Sequence, residues 1–228
     1  MKDSTCWRTP SQRRDAKNTA SAQAMDPARE VYGAQYPVIS RYVDILRSTG
    51  VDWGLLGPRE AGKVWDRHIL NCAALNSLIP PDSSVADVGS GAGLPGIPLA
   101  LLRSDLRVTL IEPLLRRSTF LDETVEQLGI ADRVQVVRSR AEDHHQSYDF
   151  VVARAVARLD RLIGWCDPLR AKGGVILAIK GESASDEVIA AERQLKAAEL
   201  VAEVLSVRAH PDTEAATVVR LRDRDRSG

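Results

Sequence analysis

Residues 85–96 read VADVGSGAGLPG and set the fold class that the rest of the chain has to fit. The apolar residues before Gly89 have the composition of a buried strand, and a run of helical composition follows Gly93. Glycine lets the backbone turn sharply and lets a ligand approach without a Cβ in the way. A glycine-rich turn between a strand and a helix therefore predicts a loop that binds a nucleotide-like ligand.

Short strand-like runs alternate with helical runs from residue 84 onward. The patterns predict strands at 84–88, 107–112, 134–138, 149–153, 174–179, 202–207 and 217–222, and helices at 95–103, 114–128, 159–168 and 185–199. Parallel strands joined by helices form right-handed crossovers, so most of the sheet is expected to be parallel. The last two strands have no helix between them, which predicts an antiparallel hairpin.

The chain before this alternation has a different texture. Residues 1–25 are polar and basic with few large apolar side chains, so we predict a disordered tail there. Apolar positions at helical spacing predict a helix over 36–46 and a second helix over 58–78, with Pro58 in its first turn. The predicted organisation is a disordered tail (1–25), an N-terminal helical extension (26–82), a sheet domain (83–222) and a frayed end (223–228).

Composition excludes several classes of protein. The 228 residues are 44% hydrophobic and 27% charged, as in a globular protein, and no apolar run reaches the roughly 18 residues of a transmembrane helix. The beginning of the chain lacks the apolar stretch of a secretory signal, and three separated cysteines indicate reduced thiols, so we expect a cytoplasmic protein. His144 and His145 have no partners at metal-binding spacing, so no metal is expected.

Two cofactor classes fit the glycine-rich loop: dinucleotides and S-adenosyl-L-methionine. Asp87 ends the strand before the glycines, where its charge would repel a pyrophosphate but suit a sulfonium or ammonium group, directly or by ordering the loop. Pro95 and Pro98 remove amide donors from the first helical turn, which weakens the anion site that a pyrophosphate would use. Glu112 ends the next strand, where its carboxylate can accept both hydroxyls of a ribose.

Together with the terminal hairpin, these features favour the second cofactor. We therefore predict an α/β protein with the Rossmann-like fold of class I methyltransferases. Its sheet is expected to have seven strands, mostly parallel, with an antiparallel last strand, behind the N-terminal helical extension.

A third contact region follows the third predicted strand. The loop at 139–143 is expected at the carboxyl edge of the sheet, beside the glycine loop, where Ala141 and Glu142 can border an adenine. The same acidic residues also suit the first turn of a helix, and both interpretations can hold together. From the residues alone, the cofactor contacts are expected at Asp87, Gly89, Gly91, Gly93, Glu112, Ala141 and Glu142.

Motifs that the sequence lacks reduce the number of possible methyl acceptors. A cytosine-C5 enzyme needs a cysteine nucleophile, and neither Cys72 nor Cys166 follows a proline at a strand end. An adenine-N6 enzyme usually carries an Asn/Asp-Pro-Pro-aromatic run after its fourth strand, where this chain reads VVARAVAR (151–158). Guanine N7 has a free lone pair and no proton to remove, so positioning by cations suffices. Cations at or near the predicted carboxyl ends of strands are Arg140, Arg154, Arg158 and Lys180.

The run DVGSGAGLPGIPLA at 87–100 resembles the signature of the glucose-inhibited division protein B family, the 16S ribosomal RNA guanine-N7 methyltransferases of bacteria. Four shorter runs agree in order and spacing: DRHILN (66–71), SRAE (139–142), ARA (153–155) and AIKG (178–181). The likeness extends over about residues 36–222. It implies a cytoplasmic enzyme that uses S-adenosyl-L-methionine to methylate guanine N7 in the decoding region of 16S ribosomal RNA.

The resemblance also implies roles for individual residues. The family's cofactor-binding places match Gly89, Leu94, Ala141, Glu142 and Arg154. Its basic places match Arg140 and Lys180, which we assign, together with Arg158, to positioning of the RNA or the acceptor. The sequence departs from the family at Glu112-Pro113, where Asp-Ser is frequent, and at Asn71, where Asp is frequent.

Three alternatives stay open at this point: a methyltransferase for another acceptor, a non-catalytic RNA binder of ribosome assembly, and a dinucleotide-dependent enzyme. For the leading hypothesis the expected partner is 16S ribosomal RNA, within the small subunit or an assembly intermediate, and the protein is expected to be a monomer without membrane contact. The net charge of the chain is zero, but residues 25–219 hold 22 basic and 27 acidic side chains. Because phosphate affinity comes from local cations, this acidic body predicts narrow recognition through one basic rim.

Overall fold

The computed structural model describes residues 26–224 of the chain. The tail predicted at 1–25 lies outside the described residues, as do the last four residues of the predicted frayed end. The described part forms one sheet with apolar clusters on both faces, because alternate residues of each central strand point to opposite sides.

The sheet is the part of the structure that tests the predicted methyltransferase-like fold. Its strands are β1 (Ser84–Val88), β2 (Arg107–Ile111), β3 (Val134–Val137), β4 (Tyr148–Arg154), β5 (Arg170–Lys180), β6 (Leu200–Val207) and β7 (Ala216–Asp223). They follow the order β3-β2-β1-β4-β5-β7-β6. The neighbours among β1 to β5 are parallel, and β7 is antiparallel to both β5 and β6. The predicted sheet and its terminal hairpin are confirmed.

Strand β5 begins at Arg170, before the predicted start at Gly174. Gly173 adopts a φ of +78°, and a Cβ on Gly174 would lie 2.9 Å from the carbonyl oxygens of both Ala171 and Tyr148. The register between β4 and β5 shifts at this place. Glycine weakens the strand pattern in the sequence, and the fold uses both glycines to pass an irregularity in the ladder.

Helices cover both faces of the sheet. They are α1 (Pro27–Tyr32), α2 (Tyr36–Ile45), α3 (Asn71–Ala73), α4 (Gly96–Leu102), α5 (Leu115–Leu128), α6 (Leu159–Cys166), α7 (Ala184–Ala190) and α8 (Glu192–Ala197). The single helix predicted over 185–199 is wrong, because the buried Ala191 leaves helical geometry and separates α7 from α8.

The second helix of the extension also differs from its prediction. Pro58 lies in a turn, and helical structure begins later with a 3-10 turn, Ala61–Lys63. A π-helical segment, Val64–Leu70, leads into α3 and a further 3-10 turn, Ala74–Leu78. Single π-helical turns are uncommon and often occur at functional sites.

The extension and the sheet share one apolar core. Buried side chains of α2 belong to the same cluster as residues of β1, β2 and β4. The hydroxyl of Tyr42, on α2, donates to the carbonyl oxygen of Ala92 at 2.7 Å, and both residues are buried. Burying such a side chain contributes about 1.5–3 kcal/mol. The extension is therefore fixed against the glycine loop, and the division at 82/83 stays a prediction.

Two further properties concern residues 26–224. No helix in this range combines the length and apolar character that crossing a membrane requires. Within the same range, no three His, Cys, Asp or Glu side chains are grouped so that they could hold a metal ion. Cys72 and Cys166 are both buried free thiols.

Candidate active site

The glycine loop takes its shape from a backbone conformation that other residues rarely adopt. Gly89 follows β1 with a φ of +69°, and its N–H donates to the carbonyl oxygen of Ile111 at 2.9 Å. A Cβ at this position would lie 2.8 Å from a methyl group of Val156. The loop therefore needs glycine both for its turn and for the close approach of the chain that follows β4.

Asp87 supports this loop from below. Its carboxylate is completely buried, and Oδ2 accepts a hydrogen bond from the N–H of Gly96 at 2.9 Å. Oδ1 has no hydrogen-bond partner among residues 26–224. Burial raises the pKa of Asp87 to about 7, although the bond from Gly96 opposes this effect. Of the two predicted actions, ordering of the loop is the one that the contacts of Asp87 provide.

Gly93 was predicted to contact the cofactor, but the structure places it away from the cavity. Its φ is +96°, and a Cβ would lie 2.9 Å from Ile97 Cγ1 and 3.1 Å from the hydroxyl of Tyr42. Gly93 is buried against these side chains and does not line the cavity described below. Its glycine is required by packing against the extension.

Glu112 holds the other side of the loop. Its side chain is almost wholly buried, with Oε2 accepting from the N–H of Gly91 at 3.0 Å and Oε1 from the N–H of Leu114 at 3.1 Å. The nearest cation is Arg117, whose guanidinium lies 3.9 Å from Oε2. Glu112 and Gly91 line the cavity together, so the carboxylate and the loop form one wall.

The first turn of α4 leaves no free amide for an anion. The N–H of Gly96 is bound to Asp87, and those of Ile97 and Leu99 donate to backbone carbonyls at 2.9 and 3.2 Å. Pro98 has no N–H to offer. With a buried carboxylate on each side of the loop, this turn suits a cationic ligand and disfavours a pyrophosphate.

A cavity of about 720 Å³ opens above the loop at the carboxyl ends of β1, β2 and β4. This size is within the range of small-molecule and cofactor sites. Predicted site residues that line it are Gly89, Gly91, Leu94, Glu112, Arg140, Ala141, Glu142 and Arg154. Ala141 is nearly buried in a 3-10 turn, whereas Arg140 and Glu142 are exposed at the rim.

Several lining residues were missed by sequence reasoning. The extension supplies Leu55, Leu56 and His68, and α6 supplies Trp165. His68 lies within the quoted run at 66–71, which was the one available signal. Leu55 and Leu56 follow a glycine, and nothing in the sequence distinguishes them from other apolar residues.

Arg154 ends β4 and joins the sheet to the extension. One terminal nitrogen donates to the carbonyl oxygen of Arg67 at 2.9 Å and lies 2.6 Å from Nδ1 of His68. The other terminal nitrogen lies 3.7 Å from Sγ of Cys72. Arg154 lines the cavity, and its guanidinium is held by three groups of the segment 67–72.

A second cavity of about 550 Å³ adjoins the first. Both cavities are lined by His68, Arg154, Ala155 and Val156, which form a shared wall. The second cavity is rich in charged side chains, and Arg158 stands on its rim with 70% of its side chain exposed. Arg140 lines only the first cavity, so the predicted single rim of four cations is wrong: the cations are divided between two cavities.

Lys180 was predicted to position the RNA or the acceptor, but its contacts differ from that role. Its side chain is 8% exposed, and Nζ donates to Glu187 at 2.8 Å and to the carbonyl oxygen of Ala157 at 2.6 Å. Glu187 also accepts from the N–H of Leu159 at 2.9 Å. A buried, neutralised lysine is poorly suited to bind a phosphate. Lys180 instead fixes the loop between β4 and α6.

Comparison with known proteins gives a consistent result. The GidB family model, described as rRNA small subunit methyltransferase G, matches residues 35–214. The chain is 50% identical over 199 residues to ribosomal RNA small subunit methyltransferase G of Thermobifida fusca, covering 86% of this chain and 84% of that one. It is 54% identical over 177 residues to the protein of the same name from Mycolicibacterium gilvum, covering 75% and 77% of the two chains.

Solved structures support the fold. TYW2 from Pyrococcus horikoshii, determined in complex with MeSAdo, superimposes with a TM-score of 0.53 at 19% identity. The match covers 68% of this chain and 61% of that one. At this level of identity the likeness concerns the fold alone.

Proposed function

The chain belongs to the rRNA small subunit methyltransferase G family, and from that premise we propose that it transfers a methyl group from S-adenosyl-L-methionine to N7 of a guanine in the decoding region of 16S ribosomal RNA. The observation that carries the proposal is the pair of adjoining cavities with a shared wall. One cavity suits a cationic nucleoside, and the other opens beside it with exposed arginine side chains.

The residues of the first cavity fit the methyl donor. Gly89 and Gly91 line this cavity without a Cβ, and the buried carboxylate of Asp87 lies beneath the loop that carries them. Glu112 presents a second carboxylate, and Ala141 with Glu142 borders the opposite side. When bound here, S-adenosyl-L-methionine supplies an electrophilic methyl group on a sulfonium.

The acceptor needs orientation more than activation. Guanine N7 carries a lone pair and loses no proton during methylation, so no residue has to act as a general base. Holding two reactants in line can contribute several kcal/mol of rate acceleration. His68, Arg154 and Val156 belong to the wall that both cavities share, so the chain can fix both reactants relative to one rigid surface.

Recognition of RNA is proposed for exposed cations beside the second cavity. The Arg67 side chain is 56% exposed and that of Arg158 is 70% exposed, so both can reach phosphates. The acidic body of the chain limits binding elsewhere. We propose that the monomeric protein acts in the cytoplasm on 16S ribosomal RNA within the small subunit or an assembly intermediate.

Transfer of a labelled methyl group tests this function. Small subunits from a strain lacking the gene, free 16S RNA from that strain and subunits from the parent strain are each incubated with the protein and methyl-labelled donor. We expect label in 7-methylguanosine after digestion of RNA from the deletion strain, and little label in parental subunits, whose site is already methylated. Label in another nucleoside, or donor binding by calorimetry without any transfer to RNA, would contradict the proposal.

A further inference from the structure

We propose that His68 is a positioning residue, whose neutral imidazole holds the Arg154 guanidinium in the wall between the two cavities. The proposal rests on the proposed function, because it assigns this wall a role in binding the methyl donor. His68 comes from the extension and Arg154 from the end of β4, so their contact joins two separate parts of the fold.

The contact fixes the protonation state of His68. A guanidinium nitrogen of Arg154 lies 2.6 Å from Nδ1, and arginine can only donate. Nδ1 must therefore be the acceptor, which leaves the single proton of the neutral ring on Nε2. Nε2 lies 3.3 Å from Oε2 of Glu60, close enough for electrostatic attraction but without hydrogen-bond geometry, and it has no hydrogen-bond partner among residues 26–224. The Arg154 contact at Nδ1 alone therefore sets the position of the ring proton.

Protonation would disrupt this arrangement. A proton on Nδ1 would set two donors and two positive charges 2.6 Å apart, and the pair would have to separate. Burial, Arg154 and Arg67 lower the pKa of His68, and Glu60 opposes them. Asp66, Glu187 and Glu214 also line the second cavity. The net lowering keeps the ring neutral near pH 7, the state that the contact requires.

Among the residues that the structure describes, Arg154 has no other support equivalent to the imidazole. Its other contacts are the carbonyl oxygen of Arg67 and the buried thiol of Cys72, whose pKa is raised to about 11 by burial. A neutral thiol is a weak acceptor. Loss of the imidazole acceptor would leave one strong hydrogen bond to orient the guanidinium. On acidification, Arg154 would therefore no longer be held in a single orientation in the shared wall.

The test compares donor affinity by calorimetry between pH 5 and 8 in the full chain and two variants. His68→Asn keeps an acceptor oxygen near the position of Nδ1 but cannot titrate, and His68→Ala removes the acceptor. We expect affinity of the unaltered protein to fall about tenfold below the pKa of His68. The Asn variant should keep high affinity at acidic pH, and the Ala variant should be weak throughout.

Asp87 titrates in the same range, so the informative quantity is the difference between the profiles of the unaltered protein and His68→Asn. Identical profiles would overturn the proposal, whereas a loss of melting temperature without any change in profile would assign His68 a structural role only. Nitrogen-15 NMR should show the His68 proton on Nε2, and a proton on Nδ1 at neutral pH would also refute it. Absence of donor binding in the unaltered protein would instead refute the proposed function.

Discussion

Replacing Asp87 by asparagine should stabilise the protein at alkaline pH and weaken binding of the methyl donor. The carboxylate is fully buried at the end of β1, with one oxygen bound to Gly96 and the other without a partner among residues 26–224. An asparagine oxygen can still accept from Gly96, so the variant removes the charge and keeps the hydrogen bond.

The size of the effect follows from the shifted pKa. Burial raises the pKa of Asp87 from 3.8 to about 7. Between these values the folded state holds a proton that the unfolded state has released, so the free energy of unfolding falls as pH rises and levels off above about 7. Each pKa unit corresponds to about 1.4 kcal/mol, which gives a penalty of at most about 4 kcal/mol at pH 8. The Asn variant should be free of it.

Urea unfolding at pH 5 and pH 8 measures this difference. The two proteins should be closest in stability near pH 4, and the advantage of Asp87→Asn should grow from about 1.6 kcal/mol at pH 5 to about 4 kcal/mol at pH 8. Calorimetry should show donor affinity reduced on the order of tenfold, because the positively charged donor loses the electrostatic attraction of the buried carboxylate beneath the loop. Equal pH dependence of stability in both proteins, or a less stable variant at pH 8, would refute the idea that burial of this carboxylate destabilises the folded state.

Three further substitutions test the loops around the cavities. Lys180→Met should lower the free energy of unfolding by about 2–3 kcal/mol, because the partly buried Glu187 loses its cation, and adding Glu187→Gln should recover most of that loss in urea unfolding. If the double variant recovered none of the lost stability, Lys180 and Glu187 would not stabilise the fold as an ion pair. Gly89→Ala should lower the melting temperature and donor affinity, through about 1–2 kcal/mol of backbone strain and a clash with Val156; unchanged donor affinity in calorimetry would argue that the loop tolerates a side chain. Arg158→Ala should leave stability within about 0.5 kcal/mol but raise the KM for small subunits, and an unchanged KM in methylation assays would remove this residue from RNA recognition.

The sequence was most informative where local chemistry decides the structure. The order of strands and helices follows from periodicity, and the run at 85–96 identifies a turn that has to be glycine-rich. Gly89, with its positive φ and its contact to Val156, is an example in which composition and geometry agree. The placement of Glu112 beside Gly91 also follows, because both lie at the carboxyl ends of adjacent parallel strands.

Long-range pairing explains what the sequence could not predict. Lys180 and Arg158 are both cations after strands, yet one is buried against Glu187 and the other is exposed, and only the folded chain distinguishes them. The partners of Arg154 lie more than 80 residues earlier in the chain. Periodicity carries no information on such contacts, so the wall between the cavities emerged only from the structure.

Mass spectrometry of RNA from a strain lacking this gene shows directly whether the protein methylates guanine N7 of 16S ribosomal RNA. We expect the 16S RNA of the deletion strain to lack one 7-methylguanosine in the decoding region and a plasmid copy of the gene to restore it. Retention of every 7-methylguanosine in the deletion strain would contradict this function.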